Sequence, residues 1–173
     1  MKVIVVDVDR CLGCRSCQIA CAVAHSASKT LVGALAEEPR PMPRVTVEAV
    51  EGLAVPLQCR HCEDAPCVTV CPTEAIHRAS PEGPVLVDQE RCIGCKYCLV
   101  ACPFGVIAVS RGGKAMVKCD LCIERISAGE EPACVAACPT RALRFVDLDD
   151  HLRQRRRQAV ARLLSAGQER VIG

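Results

Sequence analysis

Apolar positions along this chain fall into many short runs and one longer amphipathic one. Lys2–Asp7 is apolar and β-branched and predicts a strand. Arg44–Val50 alternates through Val45, Val47 and Ala49, and Leu53–Val55 reads as its return strand beyond a Glu51-Gly52 turn. Two more hairpins are expected. Ala75–Arg78 and Val85–Asp88 flank Ser80-Pro81-Glu82-Gly83-Pro84, and Val106–Ser110 and Lys114–Lys118 flank Gly112-Gly113. Ala142–Val146 is a last short strand. Helix is expected over the alanine-rich Ile19–Ala27, in a short turn opened by Pro66 and capped by Asp64, and over Ile123–Ala128 before Gly129. The longest helix, over Asp147–Ala166, has Asp149 as its candidate cap; its leucines are expected to pack on the body, with docking on an acidic partner surface as the alternative. Residues 28–44 are interrupted by Gly33, Pro39, Pro41 and Pro43 and read as a linker. The pattern predicts an α+β fold of short hairpins and short helices.

Such short elements bury little apolar surface, and the composition offers two Phe, one Tyr and no Trp in 173 residues. Aromatic side chains ordinarily supply much of a core's buried area, so something else must fill this interior. Cysteine is abnormal in the opposite sense, at sixteen residues. A disulfide scaffold belongs to short secreted chains. Here Met1–Val6 leads straight to Asp7, Asp9 and Cys11, with no signal-peptide, twin-arginine or lipidation pattern. No apolar run approaches the roughly 20 residues of a membrane span. The expectation is a cytoplasmic protein, where clustered cysteines bind metal.

Those cysteines form four quartets. The first (Cys11, Cys14, Cys17, Cys21) and third (Cys92, Cys95, Cys98, Cys102) follow C-x2-C-x2-C-x3-C, and Pro103 completes the third. That run is an iron–sulfur pattern: thiolates at i, i+3 and i+6 converge on one cubane while the fourth points towards a second. The second quartet (Cys59, Cys62, Cys67, Cys71-Pro72) widens the middle gap to four residues, and the fourth (Cys119, Cys122, Cys134, Cys138-Pro139) widens it to eleven. The first quartet has Ala22 where the others have proline. Four [4Fe–4S] clusters are the expected cofactors, and all sixteen cysteines the expected ligands. Structural zinc normally takes two separated cysteine pairs, unlike the uninterrupted first and third runs. His61 lies between ligands, yet no cysteine is missing that it would replace, so it reads as a structural histidine; His25, His77 and His151 are isolated. No C-x3-C-x2-C motif for radical chemistry is present.

The formal charge of +2 counts every cysteine as neutral. A cluster in its oxidised resting form nets about −2 with its four thiolates, so four clusters bring the total to roughly −6. The basic excess therefore gives no support to a nucleic-acid partner. Spacing alone leaves the pairing of quartets open, since twenty residues separate the second from the third and sixteen the third from the fourth.

The order of the cysteines, with Gln58-Cys59-Arg60-His61-Cys62, Pro66-Cys67, Cys71-Pro72-Thr73-Glu74-Ala75, Lys118-Cys119-Asp120-Leu121-Cys122 and Cys138-Pro139-Thr140-Arg141-Ala142, resembles the four-cluster ferredoxin subunits of multi-subunit oxidoreductases. These include the electron-transfer subunits of dimethyl sulfoxide reductase, formate dehydrogenase and formate hydrogenlyase, and of some tungsten aldehyde oxidoreductases and carbon monoxide dehydrogenases. The likeness covers about residues 3 to 147. It implies one cluster on Cys11, Cys14, Cys17 and Cys138 and a neighbour on Cys21, Cys119, Cys122 and Cys134. It implies an inner pair on Cys59, Cys62, Cys67 and Cys102, and on Cys71, Cys92, Cys95 and Cys98. The expected organisation is an outer two-cluster unit (1–28 with 106–147), an inner one (53–105), a linker and hairpin (29–52) and a C-terminal helical extension (148–173). The end strands Lys2–Asp7 and Ala142–Val146 should then lie side by side.

With four cysteines on every cluster no iron is left open, so the expected role is an electron relay and not a catalyst. The expected partners are a catalytic subunit, best matched by a molybdenum- or tungsten-pterin aldehyde or formate oxidoreductase, and a flavin or other electron-exchanging subunit, with further copies of the chain as another route. The alternatives are a free polyferredoxin, or the electron-transfer subunit of a hydrogenase or carbon monoxide dehydrogenase.

Overall fold

In the computed structural model, which describes residues 2–113 and 115–168, each strand pairs with a single neighbour. The strands are β1 (Lys2–Val6), β2 (Val45–Val50), β3 (Leu53–Gln58), β4 (Ile76–Arg78), β5 (Val85–Val87), β6 (Ala108–Val109), β7 (Met116–Val117) and β8 (Leu143–Asp147). Three hairpins, β2–β3, β4–β5 and β6–β7, form between sequence neighbours. The fourth ribbon joins segments far apart in the chain: β1 runs antiparallel to β8, with Ile4 opposite Phe145. Lys114, in the expected strand Lys114–Lys118, lies outside the described residues, as do residues 169–173 of the C-terminal extension.

An isolated two-stranded ribbon is marginal in water, so the ribbons depend on what they pack against. There are two cores. One gathers Ile4, Val45, Val47, Leu121, Val135 and Leu143 around Cys17, Cys21 and Cys134. The other gathers Ala65, Ala75, Ile76, Val85, Ile107 and Met116 around Cys67, Cys92 and Cys98. A third of each core is thus cysteine, in the place where other proteins put aromatic rings. The β2–β3 hairpin gives its valines to the first core, and the β6–β7 hairpin gives Met116 to the second.

Seven α-helices complete the described structure: α1 (Ser16–Ala24), α2 (Leu31–Ala36), α3 (Pro66–Thr69), α4 (Tyr97–Ala101), α5 (Ile123–Ser127), α6 (Ala133–Ala136) and α7 (Leu148–Gln168). Several differ from the sequence reading. Residues 28–44 are not all linker, because Thr30 caps α2 by accepting the Gly33 N–H at 3.2 Å. Pro66 does open α3, but Ala65 occupies the cap position and Asp64 makes no cap. The cap of α7 is Asp147, not Asp149: its Oδ1 accepts the N–H groups of Asp149 at 3.0 Å and Asp150 at 3.4 Å. Nor do the leucines of α7 pack on the body. The helix touches it mainly through β8, leaving Leu163 72% and Leu164 66% exposed. The side of α7 that faces the body carries His151, Gln154, Arg155, Gln158 and Arg162, and these form one wall of a cleft of about 1130 Å³. The apolar stripe points elsewhere.

Candidate functional site

Two backbone devices recur in every quartet. The residue before the second cysteine has positive φ: Gly13 at 66°, His61 at 49°, Gly94 at 72° and Leu121 at 59°. Glycine takes this conformation freely, whereas a side chain costs roughly 1–2 kcal/mol there. The turn aims backbone N–H groups at sulfur. His61 N–H donates to Cys59 Sγ at 3.4 Å and Leu121 N–H to Cys119 Sγ at 3.5 Å. The second device is a helix start: Cys17, Cys67, Cys98 and Cys134, the third cysteine of each quartet, are each the second residue of a helix, in α1, α3, α4 and α6. The longer gaps of the second and fourth quartets leave this placement unchanged. After the fourth cysteine, proline ends the helix in three quartets, and Glu74, Gly105 and Arg141 turn the chain at φ of 52°, 60° and 54°.

These turns bring together cysteines from different quartets. Cys11, Cys14, Cys17 and Cys138 line one small cavity. Cys59, Cys62, Cys67 and Cys102 line a second, and Cys71, Cys92, Cys95 and Cys98 a third. Cys21, Cys119, Cys122 and Cys134 face one another and are all buried. Ionisation follows the same grouping. Burial is the chief cause that pushes the third thiols up; Cys138 and Cys14 add to it at Cys17, Cys59 and Cys102 at Cys67, and Cys95 and Cys71 at Cys98. At Cys134 the neighbours that add to burial are Cys119, Cys21 and Cys122, and after them Cys17 of the adjoining set. Cys119, almost wholly buried, is pushed up to about 12. Four buried sulfurs cannot share one site as thiolates without a cation to neutralise them, and an all-sulfur donor set is what iron–sulfur ligation requires. Further bonds to sulfur suit the ionised form: Ile76 N–H donates to Cys71 Sγ at 3.5 Å, and the Thr73 and Thr140 hydroxyls lie 3.9 and 3.8 Å from Cys71 and Cys138.

The first quartet departs from the others, and the departure has a structural consequence. Where proline would stop the helix, Ala22 lets α1 run on through Ala24, so His25 arrives one turn past Cys21. His25 Nδ1 donates to the Cys21 carbonyl at 2.7 Å, and Nε2 meets Asp120 Oδ1 at 3.1 Å. Arg44 Nη1 donates to the other Asp120 oxygen at 2.5 Å, Cys122 N–H donates to Oδ1 at 2.9 Å, and Arg44 N–H donates to Cys21 Sγ at 3.2 Å. Burial works to lower the His25 pKa, but the bonds to Asp120 and Cys21 prevail and raise it to about 9. Burial would raise the Asp120 pKa, yet His25 and Arg44 hold the carboxyl far below the usual carboxylate range. His25, isolated in the sequence, is therefore part of a buried network beside a thiol set. The ligand atoms of His25, Asp120 and Cys122 lie within 4.8 Å of one another, but the sulfur belongs to the quartet and both ring nitrogens face oxygen acceptors. His61 is structural in a different way. Burial first and Lys118 next depress its pKa to about 3, and neutral Nδ1 accepts the Val85 N–H at 3.0 Å.

Residues 50–148 match the model of the 4Fe-4S dicluster domain. This protein belongs to the 4Fe-4S dicluster domain family. Within this family member, residues 8–24 also match a 4Fe-4S binding domain, which accounts for the first quartet. An iron-sulfur protein of Rhodospirillum rubrum is 44% identical, covering 92% of this chain and 91% of its own. The thiosulfate reductase electron transfer subunit PhsB of Salmonella typhi is 42% identical, covering 86% and 77%. The B subunit of the anaerobic dimethyl sulfoxide reductase of Escherichia coli is 36% identical, covering 84% and 73%. This dicluster-domain protein is thus an electron-transfer iron–sulfur subunit of oxidoreductase complexes, a carrier and not a catalyst. Its sixteen cysteines are the complement of four [4Fe–4S] clusters. Among the described residues no helix is long and apolar enough to cross a membrane.

Proposed function

We propose that the chain passes electrons along a line of four [4Fe–4S] clusters, between a catalytic oxidoreductase subunit and a second redox partner. The outer unit, residues 1–28 with 106–147, holds one cluster on Cys11, Cys14, Cys17 and Cys138 and one on Cys21, Cys119, Cys122 and Cys134. The inner unit, residues 53–105, holds one on Cys59, Cys62, Cys67 and Cys102 and one on Cys71, Cys92, Cys95 and Cys98. The observation that carries this reading is the convergence of the thiols into four sets, each drawing on two quartets. Exposure supports the order. Cys14 and Cys95 are the exposed cysteines, one in each terminal set, whereas every member of the Cys21 set is buried. The terminal clusters are where electrons enter and leave.

The catalytic partner is a molybdenum- or tungsten-pterin enzyme of the aldehyde or formate oxidoreductase kind, and the site of action is the cytoplasm. Similarity to subunits of thiosulfate and dimethyl sulfoxide reductases supports a catalytic partner of this general kind. Anaerobic purification from native cells tests the proposal. The expected result is a complex with about sixteen irons per copy of this chain and molybdenum or tungsten in its partner. A brown protein that purifies with no partner removes the catalytic subunit from the proposal, and a colourless zinc protein removes the clusters.

A further inference from the structure

The two ferredoxin units meet at Lys118. This residue precedes Cys119 of the outer unit, yet its side chain reaches into the inner one. Nζ donates to the Val85 carbonyl, to Cys119 O at 2.9 Å and to Cys59 Sγ at 3.6 Å. Lys118 is only 3% exposed. A buried ammonium needs a counter-charge, and among the described residues no carboxylate pairs with it. Asp120, two residues on, is already held by His25 and Arg44. The polar partners of Lys118 are two neutral carbonyls and one cluster-set sulfur. Its position also bridges the two middle thiol sets, since Nζ bonds the backbone carbonyl of Cys119 at 2.9 Å and lies 3.6 Å from Cys59 Sγ.

We infer that Lys118 is the charge at the joint of the relay: its ammonium is neutralised by the clusters of the two middle thiol sets, and it raises the reduction potential of the one held by Cys59. The inference rests on the cluster assignment proposed above. One electron crosses between the units, oxidising one middle cluster and reducing the other, with no bond made and no proton moved. Lys118 contributes a fixed positive charge and an N–H···S bond on the side that Cys59 occupies. Both favour the reduced, more negative form. The effect is strongest at Cys59, where the contact is with sulfur itself; at Cys119 the contact is with the backbone carbonyl.

The test is an EPR-monitored redox titration of the complete, cluster-loaded protein as wild type, Lys118→Met and Lys118→Arg. The signal of the Cys59 cluster is identified beforehand as the one altered by Cys102→Ser. In Lys118→Met that cluster should become at least tenfold harder to reduce, a shift of 59 mV or more for one electron. The two terminal clusters should not move, and Lys118→Arg should restore most of the loss. Unchanged potentials in Lys118→Met with full iron content overturn the inference and leave Lys118 a structural tie. Should the methionine variant lose a cluster, the wild-type protein decides: with lysine labelled by 15N at Nζ, the reduced Cys59 cluster should show a hyperfine coupling to that nitrogen, and its absence overturns the inference. If wild type has fewer than four clusters, or Cys102→Ser alters a terminal one, the assignment beneath the inference has failed instead.

Discussion

His25 Nε2 stands 3.1 Å from Asp120 Oδ1, although ninety-five positions separate the two residues in the chain. Through that contact, α1 is tied to the loop that supplies Cys119 and Cys122, and Arg44 ties the start of β2 to the same carboxylate. The Cys21 thiol set draws its members from these distant segments, and Asp120 ties the segments together. Asp120→Ala leaves Arg44 charged, largely buried and unpaired, and takes from His25 the contact that holds its proton. Breaking such a pair from one side costs about 3 kcal/mol, which lowers the melting temperature of a protein this size by roughly 6–12 °C. The thermal transition of the loaded protein checks this. Iron release to a chelator should be fastest from one cluster in four; an unchanged melting point and uniform release would refute the role.

Removing the clusters should cost far more than any single substitution. Each core contains three cysteines among nine buried residues, and the ribbons around them are two strands wide. Without metal, the buried thiols contribute only as small apolar groups, and the free energy of metal binding no longer supports folding. Anaerobic chelation of iron from the whole protein should therefore abolish most of the ordered secondary structure, α7 excepted, as read by circular dichroism. A metal-free protein that keeps its β signal would show that the cores are self-sufficient.

Much of the fold was legible in the sequence, because the cysteine runs and turn residues mark where the short elements begin and end, although spacing alone left open which quartets come together. The β1–β8 pairing follows from the family resemblance for a simple reason: a two-cluster ferredoxin unit closes its ends on each other. The parts that were not legible depend on contacts remote in the chain or on ligand geometry. Helices of four or five residues such as α4 and α6 are too short for a periodic pattern, and exist to place Cys98 and Cys134. His61 and Leu121 share the positive-φ position with Gly13 and Gly94, which no propensity assigns to a histidine or a leucine. His25 reads as isolated in the sequence because its partner lies in another quartet; the one available signal was Ala22, the missing proline that lets α1 reach it. The leucines of α7 have helical periodicity, and periodicity identifies an apolar face without saying what covers it.

The exposure of that face leads to a prediction about partners. The α7 helix carries Arg153, Arg155, Arg156, Arg157 and Arg162, and its leucines are turned to solvent. Deleting residues 152–173 removes little packing from the body, so iron content should stay the same and stability should change by no more than about 1 kcal/mol. Association with the catalytic partner should weaken, and what remains should depend less on salt. Sedimentation of the anaerobic complex at two ionic strengths measures both. If the truncated protein binds its partner as tightly and with the same salt dependence, α7 has no part in docking.

The proposed exchange of fourth cysteines between quartets gives the sharpest prediction at the level of single ligands. Cys102 lies four positions beyond Cys98, at the end of a run whose other members are Cys92 and Cys95. In the structure, however, it lines the cavity of Cys59, Cys62 and Cys67, while Cys71 joins the run instead. The α4 helix explains the crossing. Cys98 is near its start and Cys102 caps its end, so a full turn of helix carries the two sulfurs to different sites. Cys102→Ser should therefore alter the spectrum and potential of the Cys59 cluster and leave that of Cys92, Cys95 and Cys98 nearly unchanged. Cys71→Ser should do the reverse, disturbing the Cys92 cluster although Cys71 follows Cys67 by only four residues. EPR spectra of the two reduced variants, compared with wild type, distinguish the clusters. Damage confined to the quartet in which each substitution lies would mean that the quartets bind separately, and the line of four clusters would have to be redrawn.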